Sequence, residues 1–378
     1  MAERYRAAFM RGGTSKALVF NVEDLPRDRA ARDAIFLSAM GSPDPYGRQL
    51  DGMGGGVSSL SKVCLVGPPS VDGADVDYTF VQVQVKDAAC DYRGNCGNMS
   101  SAIGPYAIDE GLVRPAVADG QATVRIHNTN TGKIIHSTFP VSGGRSVARG
   151  DLAIPGVAGT GAPVRLDFLK PGGATTGRLL PTGNAVDTLQ VPGLGAVEAS
   201  MVDAANACVF VDAATLGLTG TELPEKLEAM PELLAAMNEI RAHASVAMGI
   251  APTIEQARAI RIVPFVGFVS APQNAETLAG EPLPASAVDL VVRMLSSGQP
   301  HRALPLTASL CTAVAARIEG SVAQRAARAA GGALRLGMPS GVLTVDAAVR
   351  RLPDGGWHAE RGAFFRTTRR LFDGHVYA

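Results

Sequence analysis

Residues 94–111 read GNCGNMSSAIGPYAIDEG, and the stretch Ser100–Glu110 within them consists almost entirely of small and apolar residues. A helix that is apolar on nearly every face is normally buried. The stretch Thr307–Ile318, TASLCTAVAARI, has the same character, and a glycine follows closely in both cases, at 111 and 320. The sequence therefore predicts two buried helices, each wrapped by strands.

Short runs with strand composition surround both predicted helices. Residues 78–86 (YTFVQVQVK) alternate between polar and apolar side chains, and the runs 122–128, 208–212 and 260–269 are rich in strand-forming residues. Turns separate most of these runs, because 43 glycines and 24 prolines are spread along the chain. We predict an α+β fold of two halves, each a barrel-like β-sheet wrapped around one central helix.

Two further helical regions are predicted outside these centres. The first follows Asp24 as its cap and runs to Met40, with Gly41 just beyond its end. The second covers residues 223–248 and is divided at Pro231, because a proline inside a helix removes a backbone hydrogen bond.

The chain is long enough for two domains, since 378 residues exceed what one hydrophobic core usually organises. Glycine, proline and threonine accumulate in residues 170–184 without an apolar period, which favours a break there. We expect an N-terminal domain of residues 1–183 and a C-terminal domain of residues 184–362. The final segment, 363–378, is expected to be able to return to the first domain as a strand.

Charge and composition exclude several classes of function. Lys plus Arg and Asp plus Glu number 35 each, and the charged fraction of 19% is below the ~25% typical of soluble domains. This balance favours neither nucleic acid nor a membrane surface as a partner. No run reaches the ~18 apolar residues of a membrane span, and the N-terminus does not have the pattern of a signal peptide. Five scattered cysteines suit free thiols, so a cytoplasmic protein is expected.

Common cofactor and metal motifs are missing from the sequence. The six histidines are isolated, and neither H-E-x-x-H, G-x-S-x-G nor G-x-G-x-x-G after a strand is present. RGGTSK at 11–16 lacks the spacing of a Walker A loop. We therefore expect an enzyme without a cofactor or a metal.

Cys96 is the first candidate for chemistry, because it lies where the first buried helix begins. Unpaired backbone N–H groups and the helix dipole favour an anion there, whether a thiolate or a substrate carboxylate. The flanking Asn and Gly residues suit an exposed turn that meets a ligand. The alternative is a small buried thiol without a function.

Lys62 is the second candidate, because it lies in the largely apolar, strand-like stretch SSLSKVCLVG. A lysine that is buried there would become available as a neutral base. The alternative is a lysine at a strand edge that extends to water. Cys64, two residues further along, is interpreted as core filler.

Three glycine-rich segments could offer donors to a carboxylate or could simply be turns. They are RGGTSK at 11–16, DGMGGG at 51–56 and PSG at 339–341. The residues alone leave both interpretations open.

Six blocks together resemble the PrpF family, and they extend over nearly the whole chain. They are RGGTSK at 11–16, GSPDPYGRQLDGMGGGVSSLSK at 41–62, GNCGNMSSAIGPYAIDEGL at 94–112, VDAANACVFV at 202–211, MPSG at 338–341 and RTTRRLFDGHVYA at 366–378. The family includes methylaconitate cis-trans isomerases, oxalomesaconate tautomerases or delta-isomerases, and methylitaconate isomerases. Its fold is similar to that of diaminopimelate epimerase, with two barrel-like domains that each enclose a central helix and an active site between them.

The resemblance implies that Lys62 and Cys96 match the catalytic lysine and cysteine of the family. The residues proposed to bind substrate are Arg11, Ser15, Asn95, Gly97, Asn98, Met99, Ser100, Thr307, Ser340 and Gly341. The second central helix opens with Pro305-Leu306-Thr307 rather than a second cysteine, which disfavours a two-cysteine racemase, and Cys311 is interpreted as core. Met338 stands where similar family members often carry histidine.

The resemblance therefore implies a cofactor-independent isomerase that performs a 1,3-allylic proton shift, by double-bond migration or cis-trans isomerisation. The expected substrate is a small unsaturated di- or tricarboxylate such as oxalomesaconate, methylaconitate or aconitate. Lys62 and Cys96 would be base and acid, in either order. A homodimer is considered as the assembly. Two alternatives are a racemase similar to diaminopimelate epimerase and a non-catalytic partner of an aconitase-like dehydratase.

Overall fold

The computed structural model describes residues 3–92, 96–260, 263–296, 298–328 and 332–378. The strands are β1 (Arg4–Gly12), β2 (Ser15–Asn21), β3 (Lys62–Gly67), β4 (Val76–Val83), β5 (Cys90–Asp91), β6 (Gly120–Asn128), β7 (Lys133–Ser142), β8 (Arg145–Ser146), β9 (Leu152–Ala153), β10 (Thr160–Gly161), β11 (Val164–Leu169), β12 (Asp187–Val191), β13 (Gly195–Asp203), β14 (Ala207–Asp212), β15 (Phe265–Ser270), β16 (Ala275–Glu276), β17 (Pro282–Leu283), β18 (Leu290–Ser296), β19 (Gln299–Pro300), β20 (Leu334–Met338), β21 (Gly341–Arg351), β22 (Trp357–Arg366) and β23 (Thr368–Tyr377). The α-helices are α1 (Arg29–Met40), α2 (Gly97–Asp109), α3 (Pro224–Glu228), α4 (Pro231–Ala247), α5 (Ile254–Ala259), α6 (Leu306–Ala315) and α7 (Val322–Ala326). Within these described ranges, no helix has both the length and the apolarity needed to cross a membrane.

Contacts along the chain group it into two units. The first consists of Met1–Asp167 together with Phe365–Ala378, and the second of Phe168–Phe364. The C-terminal strand β23 belongs to the first unit, where it pairs antiparallel with β1. The glycine-rich segment 170–184 lies near the start of the second unit.

The first unit is a sheet that surrounds α2. Strand β1 forms a hairpin with β2, which runs parallel to β3, and β3 pairs antiparallel with β4. Helix α2 contacts β1, β2, β3, β6 and β7, and its residues 99–108 are all buried. Gly104 permits this packing, because a Cβ there would lie 2.7 Å from the Phe139 ring.

The alternation of side chains gives the central strands of this unit two different faces. One face packs against α1 in an apolar cluster that includes Leu18, Phe36, Val63 and Val81. The opposite face carries the register partners Ala17, Lys62 and Gln82 in a row across β2, β3 and β4. Since α2 contacts β2 and β3 and α1 occupies the other face, this row lies on the side of α2.

The second unit repeats the arrangement with different residues. Its sheet contains β13, β14, β15 and β18 in neighbouring positions, and α6 contacts β13, β14 and β21. Residues 308–315 of α6 are all buried. Helix α4 contacts β12 and β15 and contributes Met237 and Ile240 to an apolar cluster with Val209. Both predicted buried helices are therefore present.

Helix boundaries follow local capping. The predicted start of α1 after Asp24 is wrong, because the Asp28 carboxylate accepts a hydrogen bond from the Ala31 N–H at 2.8 Å and caps the helix there. Its predicted end is confirmed, since Gly41 is left-handed at φ 72°. The division at Pro231 is also confirmed, with α3 before it and α4 after it.

Candidate active site

Lys62 is a buried lysine in an interior strand. It opens β3, which lies between β2 and β4, and it is only 7% exposed. Its Nζ donates a hydrogen bond to Oε1 of Gln82 at 2.5 Å and lies 4.9 Å from the centre of the Phe80 ring. Lys62 is therefore not a lysine at a strand edge that extends to water.

Cys96 is half-buried at the N-terminus of α2. It is the N-cap residue of a helix that begins at Gly97, three residues before the predicted start at Ser100. Its own carbonyl accepts hydrogen bonds from the backbone N–H and the hydroxyl of Ser100, at 2.9 and 3.1 Å. The thiol makes no capping bond and instead contacts the Ser15 hydroxyl at 3.9 Å. The first N–H groups of any helix have no partner within it, so an anion next to Cys96 would meet backbone donors.

The hairpin between β1 and β2 packs directly on this helix start. A Cβ at Gly12 would lie 2.7 Å from the Asn98 carbonyl oxygen, and one at Gly13 would lie 2.3 Å from Asn98 Oδ1. Asn98 also donates to the Thr14 hydroxyl at 3.0 Å. The two glycines of RGGTSK are therefore needed for close approach to α2, in addition to the turn itself.

Replacing Gly13 with Ala is expected to destabilise the protein and to lower its activity. Gly13 has φ +53° and no room for a Cβ, whereas Gly143 has a similar φ of +57° with no atom within 4 Å. Gly143→Ala should cost only the left-handed strain of about 1 to 2 kcal/mol. Gly13→Ala should cost roughly 1 to 3 kcal/mol more, because Asn98 must move. Urea unfolding of both variants measures the difference, and equal losses would contradict the close packing.

Arg366 is a site residue that the sequence reasoning missed. It is 7% exposed, and its Nε donates to Asn98 Oδ1 at 3.0 Å, so it lies at the start of α2. Burial lowers the pKa of Arg366 to about 10, while the interaction with Cys96 acts in the opposite direction. The guanidinium is thus a cation beside the thiol at neutral pH. The only signal in the sequence was its place at the head of the block RTTRRLFDGHVYA.

Arg11 and Ser15, both predicted to bind substrate, have different surroundings. Arg11 donates from Nη1 to the carbonyls of Gly13 and Thr367, both at 2.9 Å, and so ties the hairpin to the C-terminal segment. Burial, and then the charge of Arg369, lower the pKa of Arg11. Ser15 is 3% exposed and faces Cys96.

The remaining candidates are divided among three places. Gly97, Asn98, Met99 and Ser100 form the first turn of α2, where the fully buried Met99 offers only its backbone. Thr307, Ser340 and Gly341 belong to the second unit, where Thr307 is exposed in the first turn of α6. Asn95 lies outside the described residues.

Ser340 and Gly341 lie at the hairpin turn between β20 and β21. Gly341 has φ +121°, and within the described part of the chain the buried Ser340 hydroxyl has no hydrogen-bond partner. Met338 precedes this turn, is 4% exposed and accepts a hydrogen bond on sulfur from the Leu304 N–H at 3.4 Å. The residue at 338 is therefore linked to the segment that enters α6.

Cys64 and Cys311 are buried core residues, each fully inaccessible to solvent. Burial raises the pKa of the Cys64 thiol far above its usual range, and the charges of both Lys62 and Cys96 also act on it. Cys64 follows Lys62 by two residues in β3 and therefore lies on the same face of the strand.

The geometry brings one buried amine and one half-buried thiol to the same side of one sheet. Ala17 pairs with Lys62, and Ser15, two residues earlier on the same face of β2, contacts Cys96. An amine and a thiol arranged in this way can remove a proton from one carbon and return a proton to another. Among the described residues, no three His, Cys, Asp or Glu side chains are grouped so as to hold a metal ion.

Comparisons with known proteins show the family of the chain. The family model described as PrpF protein matches residues 2–378. The 3-methylitaconate isomerase of Eubacterium barkeri is 41% identical over 378 residues, which cover 99% of this chain and 97% of that protein. The 2-methyl-aconitate isomerase of Shewanella oneidensis is 39% identical, over 98% of this chain and 96% of that protein.

A solved structure of a methylitaconate-delta-isomerase superposes on the whole chain. Its TM-score is 0.91 at 40% sequence identity, and the superposition covers 100% of this chain and 96% of that structure. The predictions of family, fold class and isomerase class are confirmed by these matches. This chain belongs to the PrpF family.

Proposed function

We propose that this protein is a cofactor-independent isomerase that moves a double bond within a small unsaturated di- or tricarboxylate. The observation that carries the proposal is the placement of Lys62 and Cys96 on the same side of one sheet in the first unit. The relatives act on methylitaconate and methylaconitate by their names. Both compounds have carboxylates conjugated with, or adjacent to, a carbon–carbon double bond.

The proposed reaction is a balanced proton shift. The neutral Lys62 amine removes a proton from the carbon allylic to the double bond, and the electron pair delocalises into a dienolate. The Cys96 thiol then gives its proton to the far end of the allylic system, so the double bond moves by one position. The enzyme is left with an ammonium and a thiolate, and one proton transfer from the first to the second restores it. The same pair can run the reaction in the opposite sense.

The difficult part of this reaction is the extra negative charge on an anionic substrate. Donors that are already oriented lower the cost of that charge, because they need no rearrangement during the reaction. The first-turn N–H groups of α2 and the buried guanidinium of Arg366 lie around Cys96 and can serve in this way. We assign substrate contacts to Ser15 and to residues 97–100, and we keep Arg11, Asn95, Thr307, Ser340 and Gly341 as further predicted contacts.

Proton NMR in heavy water tests the proposal. The panel contains methylitaconate, 2-methylaconitate, aconitate and oxalomesaconate, together with single enantiomers of amino and hydroxy acids. We expect deuterium at the allylic carbon and the appearance of a double-bond isomer for at least one unsaturated acid. Exchange at the α-carbon of a saturated acid alone would instead identify a racemase. Folded protein that exchanges none of these compounds would contradict the proposal.

The cellular location and the oligomeric state are part of the same proposal. We propose a cytoplasmic enzyme because all five cysteines are free thiols. A homodimer is the proposed assembly. Cell fractionation measures the first property, and size-exclusion chromatography with light scattering measures the second.

A further inference from the structure

The side-chain amide of Gln82 has a fixed orientation. Its Nε2 donates to the carbonyls of Ser58, Ser61 and Val83, at 3.0, 2.9 and 3.2 Å. An amide nitrogen only donates and an amide oxygen only accepts, so these three carbonyls determine which end of the group faces them. The oxygen must therefore face away from them, and it receives the Lys62 Nζ at 2.5 Å.

Lys62 is unusual among the lysines of this protein. All six lysines lie in described residues, and only Lys62 is buried. The groups on its own face are Gln82, the Phe80 ring and the neutral thiol of Cys64, with Cys96 and Arg366 at the nearby start of α2. Gln82 is the hydrogen-bond acceptor that holds the amine.

A second glutamine, which is buried, supports the segment that holds Gln82. Gln49 is 1% exposed, and its Oε1 accepts from the Ser61 hydroxyl at 2.5 Å and from the Gly56 N–H at 2.9 Å. Its Nε2 donates to the Ser42 hydroxyl at 2.8 Å. The side-chain amide of Gln49 therefore links residues 42, 56 and 61 of this segment to one another.

Two glycines of DGMGGG, Gly54 and Gly56, are explained by these links. A Cβ at Gly54 would lie 2.2 Å from Gln49 Oε1, and Gly56 is left-handed at φ +72°. The N–H groups of Met53 and Gly54 donate to the carbonyls of Ala39 and Met40. These three N–H groups, at 53, 54 and 56, are therefore used within the protein rather than being offered to a substrate carboxylate.

We propose that Gln82 is a positioning residue for Lys62, and that Gln49, acting through Ser61, holds Gln82 in place. An amide oxygen fixes the direction of one N–H bond, so the lone pair of the neutral amine must point elsewhere. A carboxylate at the same place would favour the ammonium form and hold the proton that the base must exchange. A neutral acceptor therefore orients the base without fixing its charge. The effect on turnover rests on the proposed function, whereas the effect on Lys62 itself does not.

Lysine NMR separates these two effects. In protein labelled with ¹³C and ¹⁵N lysine, the Lys62 signal is the one of six that disappears in Lys62→Met. We expect the midpoint of its titration to rise by roughly one pH unit or more in Gln82→Glu, because a nearby opposite charge stabilises the ammonium. In Gln82→Met the midpoint should fall, because an acceptor is lost. The same Gln→Glu change at the exposed Gln121 on β6 is the matched control and should leave Lys62 unchanged.

Turnover provides the second measurement. Both Gln82 variants should lower kcat by about tenfold or more with a small change in KM, since a displaced catalytic group loses rate even when binding is kept. The pH profile of kcat should move to higher pH in Gln82→Glu, a shift that general loosening of the fold would not produce. Should both variants fail to fold, Gln82→Asn keeps the amide but withdraws its oxygen by one methylene. Its Lys62 midpoint should then move in the direction expected for Gln82→Met.

The outcomes distinguish the two proposals. Folded Gln82 variants in which the Lys62 midpoint does not move, or moves the same way in both, would overturn the positioning role. A Lys62 response of the expected signs in a protein that converts no unsaturated acid would support positioning and reject the proposed function. Opposite shifts of Lys62 together with the loss of kcat would support both.

Discussion

Replacing Lys62 with Met is expected to lower turnover by about 100- to 10,000-fold, the range contributed by a positioned proton-transfer group. Methionine has a similar length and fits a site that is 7% exposed, but it cannot accept or give a proton. Binding of the substrate should change little, because the amine acts on a C–H bond. The uptake of deuterium from solvent into substrate measures the step directly.

The control for this experiment is Lys86→Met, which makes the same change at an exposed lysine of the same unit. That variant should keep full activity. Circular dichroism and thermal unfolding establish that both variants are folded. Unchanged deuterium uptake in folded Lys62→Met would remove Lys62 from the reaction, and the proposed mechanism with it.

Replacing Cys96 with Ser is expected to have the second largest effect, a loss of about 100-fold or more in kcat. The serine hydroxyl occupies nearly the same place at the start of α2, but it gives up a proton far less readily than a thiol. Cys90→Ser is the matched control, since Cys90 is also half-buried in the first unit and has no assigned role. Full activity in Cys96→Ser would exclude the thiol as the proton donor.

Alkylation offers an independent measurement on the unaltered protein. Burial, and then the charge and hydrogen bonding of Asp33, raise the pKa of Cys90 to about 12, so this thiol is almost entirely protonated at neutral pH. Cys64, Cys208 and Cys311 are fully inaccessible to solvent. Iodoacetamide should therefore react first at Cys96 and inactivate the enzyme in proportion, as peptide mass spectrometry would show. Inactivation that follows labelling of another cysteine would contradict the assignment.

The parts of the fold that were predictable are those determined by local composition. The two buried helices were recognisable because α2 and α6 have small or apolar residues on almost every face. The start of α1 was placed wrongly, because Asp24 and Asp28 are equally good caps in the sequence and only the backbone geometry selects Asp28. Residues 260–269 were predicted as one strand, but β15 begins only at Phe265, after the cis Val263–Pro264 bond.

In the candidate site, likewise, some residues could be recognised from the local sequence, whereas others could be recognised only from the fold. Lys62 and Cys96 were found because each stands out from its neighbours in the sequence. Gln82 did not stand out, because in an alternating strand it has the pattern of a solvent-facing residue. Its role follows from the pairing of β3 with β4, which puts it opposite Lys62. Arg366 was missed because the Asn98 side chain that it binds is 268 positions away.

The pairing of β23 with β1 has a consequence for the order of synthesis. Domains usually fold as they leave the ribosome, with the N-terminal one first. Here residues 368–377 complete the first sheet, and Arg366 reaches the start of α2, although both are translated after the whole of Phe168–Phe364. The second unit can therefore finish folding while the first still waits for its last strand. A nascent chain thus acquires its amine and its thiol early, but the cation beside that thiol arrives only after the whole second unit has been translated.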